Sequence, residues 1–223
     1  MSDARPSADD GTLLEGARVA ASNALRDLLH GFVRAHPETD AIYGEIEQRA
    51  AELLAVLDAM PRRDRMAMMQ AARKGHGGTF PVGIAAGGFN DRAVAGLANP
   101  GGIDIRVEPG GDEVVAHLFF RKGFEGPPGR THGGIVAAAF DDVTGFIIGR
   151  IGQPAFTGQL TVRFVGPVPI ETPIEMRARL DGRERRKLFI SAEATAAGAV
   201  VATCAAIYIA VDPGIFAVSP DPR

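Results

Sequence analysis

The period of the hydrophobic and polar positions changes along this chain, and the change divides it. From Leu14 the apolar residues fall at Leu14, Ala17, Ala21, Leu25, Leu28 and Phe32. These steps of three and four predict an amphipathic helix. A second helix is predicted after Pro37, with Glu38 and Asp40 in its first turn and a stripe through Ile42, Ile46, Leu53, Leu57 and Met60; Pro61 closes or kinks it. RRDRMAMMQAARKG, residues 62–75, predicts a third, short helix. Residues 75–102 are glycine-rich and read as loop. From residue 103 the period falls to two. DEVVAHLFFR, FTGQLTVRFV, PIEMRARLD, KLFISAEATA and VVATCAAIYIAV predict strands, most of them bounded by Pro, Gly or charged turns. The expected organisation is a disordered tail over 1–10, a helical extension over 11–75, a Gly-rich linker over 76–102, the main domain over 103–212 and a C-terminal tail over 213–223.

One stretch in the strand-rich part breaks the alternation. Residues 133 to about 148, GGIVAAAFDDVTGFII, are too long for a typical strand and rich in alanine. They predict a helix entered through the loop GPPGRT. Ile135, Val136, Ala138, Ala139, Phe140, Val143, Phe146 and Ile147 leave it almost no polar face, and a helix apolar all round is normally buried. A lone buried helix among antiparallel strands predicts a sheet wrapped around it. Asp141 and Asp142 interrupt this helix, and burying an unpaired carboxylate costs several kcal/mol.

Their position suggests a use for the charge. Asp141 lies nine residues beyond His132, roughly 13 Å along a helix axis and half a turn around it. A helix N-terminus presents backbone N–H groups to a developing oxyanion. A carboxylate that far along cannot serve a carbonyl bound at the start of its own helix. It can serve a neighbour's helix if two lie antiparallel across a two-fold axis, so the spacing fits a site shared between subunits. Asp142 points about 100° away from Asp141 and reads as structural or solvated.

Composition narrows the classes. A formal net charge of −3 gives no general attraction to nucleic acid or anionic membrane. Cys204 is the only cysteine, which excludes an intramolecular disulfide and argues against a cysteine metal site. It sits in a strand pattern and reads as a small core residue. MSDARPSADD lacks the apolar core of a signal peptide, and no apolar run approaches the ~18 residues of a membrane span. A cytoplasmic protein is the expectation.

GPPGRTHGG, followed by Asp141 nine residues after the histidine, resembles the signature of hotdog-fold acyl-CoA thioesterases of the phenylacetic-acid-degradation (PaaI) type, within the 4-hydroxybenzoyl-CoA thioesterase superfamily. FTGQLTVRFVGPVPI resembles the same family, and the likeness spans roughly residues 95–212. It implies an α+β hotdog fold, an antiparallel sheet around a central helix, here with an N-terminal helical extension. The implied partner is acyl-CoA, the implied assembly a homodimer or homotetramer, and no metal or cofactor is implied.

The implied site is residue-specific. The Gly133 N–H would polarise the thioester carbonyl, and Asp141 of the other subunit would act as general base or as nucleophile. His132 would orient the thioester end, and Thr157 would hold the carboxylate or its water. Gly134 and Phe140 would contact substrate, and Ile135, Ala138 and Ala139 are further candidates to line an acyl tunnel. Arg185, Arg186 and Lys187, in the turn DGRERRKLF, would meet the CoA phosphates, although a solvated hairpin explains them as well. Many relatives place Asn or Gln shortly before the histidine, where this chain offers only Glu125.

Other features read as structural. GHGG at His76 has no apolar helix after it and reads as loop. His30, His36 and His117 have no partners at ligand spacing, and no GK[ST] follows Gly87, Gly88 or Gly96. Two other functions stay open: a non-catalytic acyl-CoA sensor with a regulatory helical module, and a hotdog enoyl-CoA hydratase, for which no Asp-x-Asn-Pro-x-His arrangement is present.

Overall fold

A computed structural model of the chain describes residues 8–64, 67, 90–108 and 111–212. Helix α1 (Ala8–Arg34) and helix α2 (Ala41–Asp58) come first. Six strands follow: β1 (Asp104–Val107), β2 (Val114–Phe119), β3 (Ala155–Phe164), β4 (Pro173–Glu184), β5 (Lys187–Ala196) and β6 (Ala199–Ala210). Helix α3 (Gly133–Arg150) lies between β2 and β3. Of the short helix expected over 62–75, residues 62–64 are described and are not helical, Ala67 is helical, and the rest lie outside the described residues, as do His76, Gly87 and Gly88.

The strands form one sheet in the order β1-β2-β4-β5-β6-β3, each neighbouring pair antiparallel. Alternation dictates its inner face. Val114, Ala116 and Leu118 of β2, Ile174, Met176 and Ala178 of β4, and Leu188 and Ile190 of β5 all point into one core. β5 and β6 supply mostly alanine there: Ala192, Ala194, Ala202 and Ala206. These small residues leave room for the bulky side of α3, where Val136, Phe140, Val143 and Ile147 are buried. Burial of a side chain such as Phe140 contributes about 1.5–3 kcal/mol. The helix enclosed by its sheet is the architecture expected from the sequence.

Two elements differ from the pattern reading. β1 is a four-residue edge strand with one fully buried side chain, Ile105, too short for alternation to mark it. Among the described side chains of α1 the buried residues are Ser22, Arg26 and His30, spaced by four, whereas Leu25, Leu28 and Phe32 are exposed. Packing therefore selects a polar stripe of α1, not its apolar one, because Arg26 finds acceptors on the domain. α2 buries none of its residues and meets α1 through an edge-to-face contact of Phe32 with Tyr43, 5.6 Å between centroids.

Residues 90–103 form successive turns that set Ala95 and Ile103 into the core. The two sheet edges are unlike. β1 is held by Arg26 of α1 through Asp104. β3, ten residues long, is mostly exposed, with Phe156, Phe164 and the following Val165 each at least half exposed. A long open edge carrying apolar side chains is a surface that natural sheets normally cover. Among the described residues no helix is long and apolar enough to cross a membrane.

Candidate active site

The segment leading into α3 is fixed before the helix begins. Glu125 accepts the Gly129 N–H at 2.7 Å and pairs with Lys122 at 2.5 Å. The lysine contact, reinforced by that N–H, holds its carboxyl below the usual carboxylate range. Gly126 N–H donates to the Arg130 carbonyl, Thr131 N–H to the Val168 carbonyl and His132 N–H to the Phe124 carbonyl. Gly129 turns the loop at φ +75°, a conformation that favours glycine. Both Glu125 carboxylate oxygens are engaged in shaping this loop.

His132 is the N-cap of α3, in extended conformation, and its Nδ1 accepts the Gly134 N–H at 3.1 Å. Its proton therefore sits on Nε2, which leaves that atom as a donor. Ile135 and Val136 both donate to the His132 carbonyl. Within the first turn, the Gly133 N–H is left without an acceptor among the described residues. A groove of about 430 Å³ opens beside it, lined by Pro127, Arg130, Gly133, Phe164 and Pro167 among others. The Phe164 ring closes one wall, since a Cβ on Gly133 would lie 3.2 Å from its Cζ.

Asp141 and Asp142 part ways as the helical angle requires. Asp142 turns inward, accepting the Ala95 N–H at 2.9 Å with Arg92 at 4.0 Å. Burial raises its carboxyl above the ordinary range, opposed by Arg92 and the Ala95 N–H. Asp141 is exposed and faces β3, where Thr157 Oγ1 donates to its Oδ1 at 2.8 Å. A bulge at Gly158 positions that threonine: the register with β6 shifts between Thr157 and Gln159. No larger residue fits the bulge, because a Cβ on Gly158 would lie 2.8 Å from Ile209 Cγ1.

Two further residues support Asp141 and were not read from the sequence. The Tyr208 hydroxyl donates to the Asp141 carbonyl at 2.8 Å, and Thr144 bridges Tyr208 (2.9 Å) and the Phe140 carbonyl (2.8 Å). Burial pushes the Tyr208 phenol up to about 12, so it remains a donor at neutral pH. Tyr208 belongs to ordinary strand alternation, and only the pairing of β6 with β3 brings it here.

The structure thus gathers the sequence candidates at two places. Thr157, Tyr208 and Leu188 share one rung of the sheet, so Asp141 and the turn bearing Arg185, Arg186 and Lys187 lie at one end. Arg186 Nε there donates to the Ala210 carbonyl at 3.0 Å, and Arg185 has φ +52°. His132, Gly133 and Gly134 lie at the other end, beside Phe164. Thr157 and Phe164 are seven residues apart on β3, about 23 Å along the strand. Phe140 and Ala139 are enclosed in the core, whereas Ile135 and Ala138 are half-buried. Cys204 is buried, its thiol pushed up to about 12, and is inert as a nucleophile. His117 pairs with Glu108 at the surface.

Known proteins share this architecture. Residues 128–203 match the family model described as Thioesterase superfamily. Acyl-coenzyme A thioesterase THEM5 of Homo sapiens is 37% identical over 98 residues, 39% of this chain and 40% of that protein. Acyl-coenzyme A thioesterase THEM4 of Xenopus laevis is 35% identical over 69 residues, 31% of each chain. This chain thus spans 40% or less of the length of these curated relatives. A crystal structure described as a thioesterase superfamily protein superposes with a TM-score of 0.69 at 20% identity, over 86% of this chain and 94% of that one. That likeness extends through most of the chain and establishes the fold: a hotdog domain, its six-stranded antiparallel sheet around a helix, with an N-terminal helical region.

Proposed function

We propose that this protein hydrolyses acyl-CoA thioesters at a PaaI-type site, each site combining Gly133 and His132 of one subunit with Asp141 of another. The observation that carries this reading is the placement of the two half-sites at opposite ends of β3, which pairs on one side only among the described residues. Two copies of β3 paired antiparallel about a two-fold axis near Leu160 and Thr161 would set Thr157 of one beside Phe164 of the other. The Asp141 end then meets the Gly133 groove of the opposite chain. The exposed apolar edge of β3 would be covered by the same pairing.

The chemistry is compact. The Gly133 N–H, free of an intrahelical partner, donates to the thioester oxygen as it becomes an oxyanion. His132 Nε2–H stands at the same helix end to orient the thioester. Asp141, held by Thr157, takes a proton from water as the water oxygen bonds to the acyl carbon. Collapse breaks the C–S bond, and CoA leaves as a thiolate, a far weaker base than an alkoxide, so little acid assistance is needed. The products are the free acid and CoA. Attack by Asp141 itself breaks the C–S bond to give a mixed anhydride and CoA thiolate; water that opens this anhydride at the aspartyl carbon leaves its oxygen on Asp141 and releases the same acid. Single turnover in ¹⁸O-water separates the routes.

The test is release of free CoA across short, medium, long and aromatic acyl-CoAs, with the acid product measured in parallel. Equal amounts of acid and CoA from at least one class are expected. Binding of acyl-CoA without release of CoA from any class would overturn the hydrolase reading in favour of a sensor. Loss of enoyl-CoA without CoA release would indicate a hydratase.

A further inference from the structure

α1 buries a polar stripe, and two residues of that stripe lead to the two halves of the candidate site. Arg26 is 2% exposed. Its Nη2 donates to the Asn99 carbonyl at 2.7 Å and to the Gly96 carbonyl at 3.4 Å, and its Nη1 reaches Asp104 Oδ1 at 3.2 Å. Those carbonyls belong to the turns whose Ala95 N–H is bound by Asp142, the residue after Asp141. One turn further along α1, His30 is 6% exposed and its Nδ1 accepts the Gly123 N–H at 3.0 Å. The next residue, Phe124, meets the His30 ring edge-on at 4.9 Å, and its carbonyl accepts the His132 N–H at 2.8 Å. Glycine is required at 123, because a Cβ there would lie 2.5 Å from His30 Nδ1.

We infer that Arg26 and His30 are positioning residues of the hydrolase site, Arg26 setting the Asp141 end of α3 through residues 95–99 and His30 setting the His132 end through Gly123 and Phe124. The inference rests on the thioesterase reading for its effect on turnover. Neither side chain touches a reacting group. Except at exposed His132, where the second chain ends, the links join buried or half-buried residues, so the displacement of one is passed to the next instead of being absorbed by solvent.

The His30 link has a pH dependence of known sign. Accepting from Gly123 requires a neutral ring with its proton on Nε2, which has no partner among the described residues. Burial first, then Arg121, hold the His30 pKa below the ordinary 6.5; Arg26 acts in the same direction, and Asp104 and Asp27 oppose it. Arg34, Lys122 and Glu171 line the cavity of about 280 Å³ next to it. The unfolded chain therefore binds more protons than the folded one just below pH 6.5. The contact is fully favourable above that pH and is lost as pH falls through the folded-state pKa.

The test compares, in the full chain, His30→Leu with His30→Asn, whose Oδ1 takes the place of Nδ1, and Arg26→Met with Arg26→Lys. His30→Leu and Arg26→Met are expected to lower kcat roughly 10- to 100-fold with KM within about twofold, because misplacement is felt in the chemical step. His30→Asn should recover most of kcat and flatten the acidic limb of the wild-type pH profile. The protection factors of the His132 and Val136 amides, exchange being corrected for its intrinsic pH dependence, should fall in His30→Leu, and in wild type on acidification through the His30 transition. This readout stands even if no thioester is hydrolysed, so failure of the enzyme assignment and failure of the coupling are separable. Unchanged kcat and unchanged exchange at these amides, with only the melting temperature lowered, would overturn the inference. If His30→Leu does not fold, the His30→Asn profile and the wild-type exchange titration decide it.

Discussion

Asp141→Asn is expected to lower kcat for thioester hydrolysis by roughly 10²- to 10⁴-fold, the range contributed by a positioned general base. The substitution is nearly isosteric and leaves the surroundings occupied. Asparagine Oδ1 can still accept from Thr157, and the Tyr208 bond goes to the backbone carbonyl of residue 141, which the change does not touch. Basicity is what disappears. Asp141 is also exposed, so the fold does not depend on its charge. Steady-state kinetics beside melting temperature and oligomer size would check this, with stability expected to change by no more than about 0.5 kcal/mol. A loss below tenfold would place the base elsewhere. Asp142 and Glu125 are the nearest alternatives in sequence, but one is committed to the Ala95 N–H and the other to Gly129 and Lys122.

Gly133→Pro is expected to cost roughly 10²- to 10³-fold in kcat, as loss of one oxyanion donor does. Proline suits the first helical position, where its missing N–H breaks no intrahelical bond. His132, at φ −60° and ψ 131°, already has the extended conformation required before proline. The helix should survive while its free donor is removed. Gly133→Ala is the control, because it adds a Cβ and keeps the N–H. That Cβ meets the half-exposed Phe164 ring at 3.2 Å, and the ring can give way by a few tenths of an ångström. A loss of less than about tenfold is expected for alanine, well short of the proline effect. Equal losses in the two variants would mean that shape, not the amide, is what matters there.

Much of this arrangement was legible in the sequence because its determinants are local. The run from Gly133 is apolar at every angle, so its burial as a helix followed from composition alone. The 100° step between Asp141 and Asp142 foretold that the two would part, with Asp142 structural or solvated; the structure turns it inward onto the Ala95 N–H. Period-two alternation marked β2 and β4 to β6, where each inward residue is apolar. The nine-residue gap from His132 to Asp141 already separated the two half-sites.

What was not legible depends on pairing between distant segments. Tyr208 looks like any inward strand residue until β6 pairs with β3 and brings its hydroxyl to Asp141. The bulge at Gly158 is a register effect, which no window of β3 alone contains. β1 is too short to show a period. α1 misled for a physical reason: its apolar stripe is the stronger pattern, yet Arg26 gains four acceptors from Asn23, Gly96, Asn99 and Asp104, and that network turns the helix the other way. The role of Glu125 in bracing the Gly129 turn is visible only once the loop is closed.

The central claim, that each site draws on two chains, is tested most directly by mixing Asp141→Asn with Gly133→Pro. Equal amounts of the two inactive variants, allowed to exchange subunits, form mixed dimers in which one site has both an intact Gly133 and an intact Asp141. Random association should therefore restore about a quarter of wild-type activity. Activity that stays at the level of the separate variants, with mixed dimers demonstrably formed, would show that both groups must come from the same chain and would contradict the account.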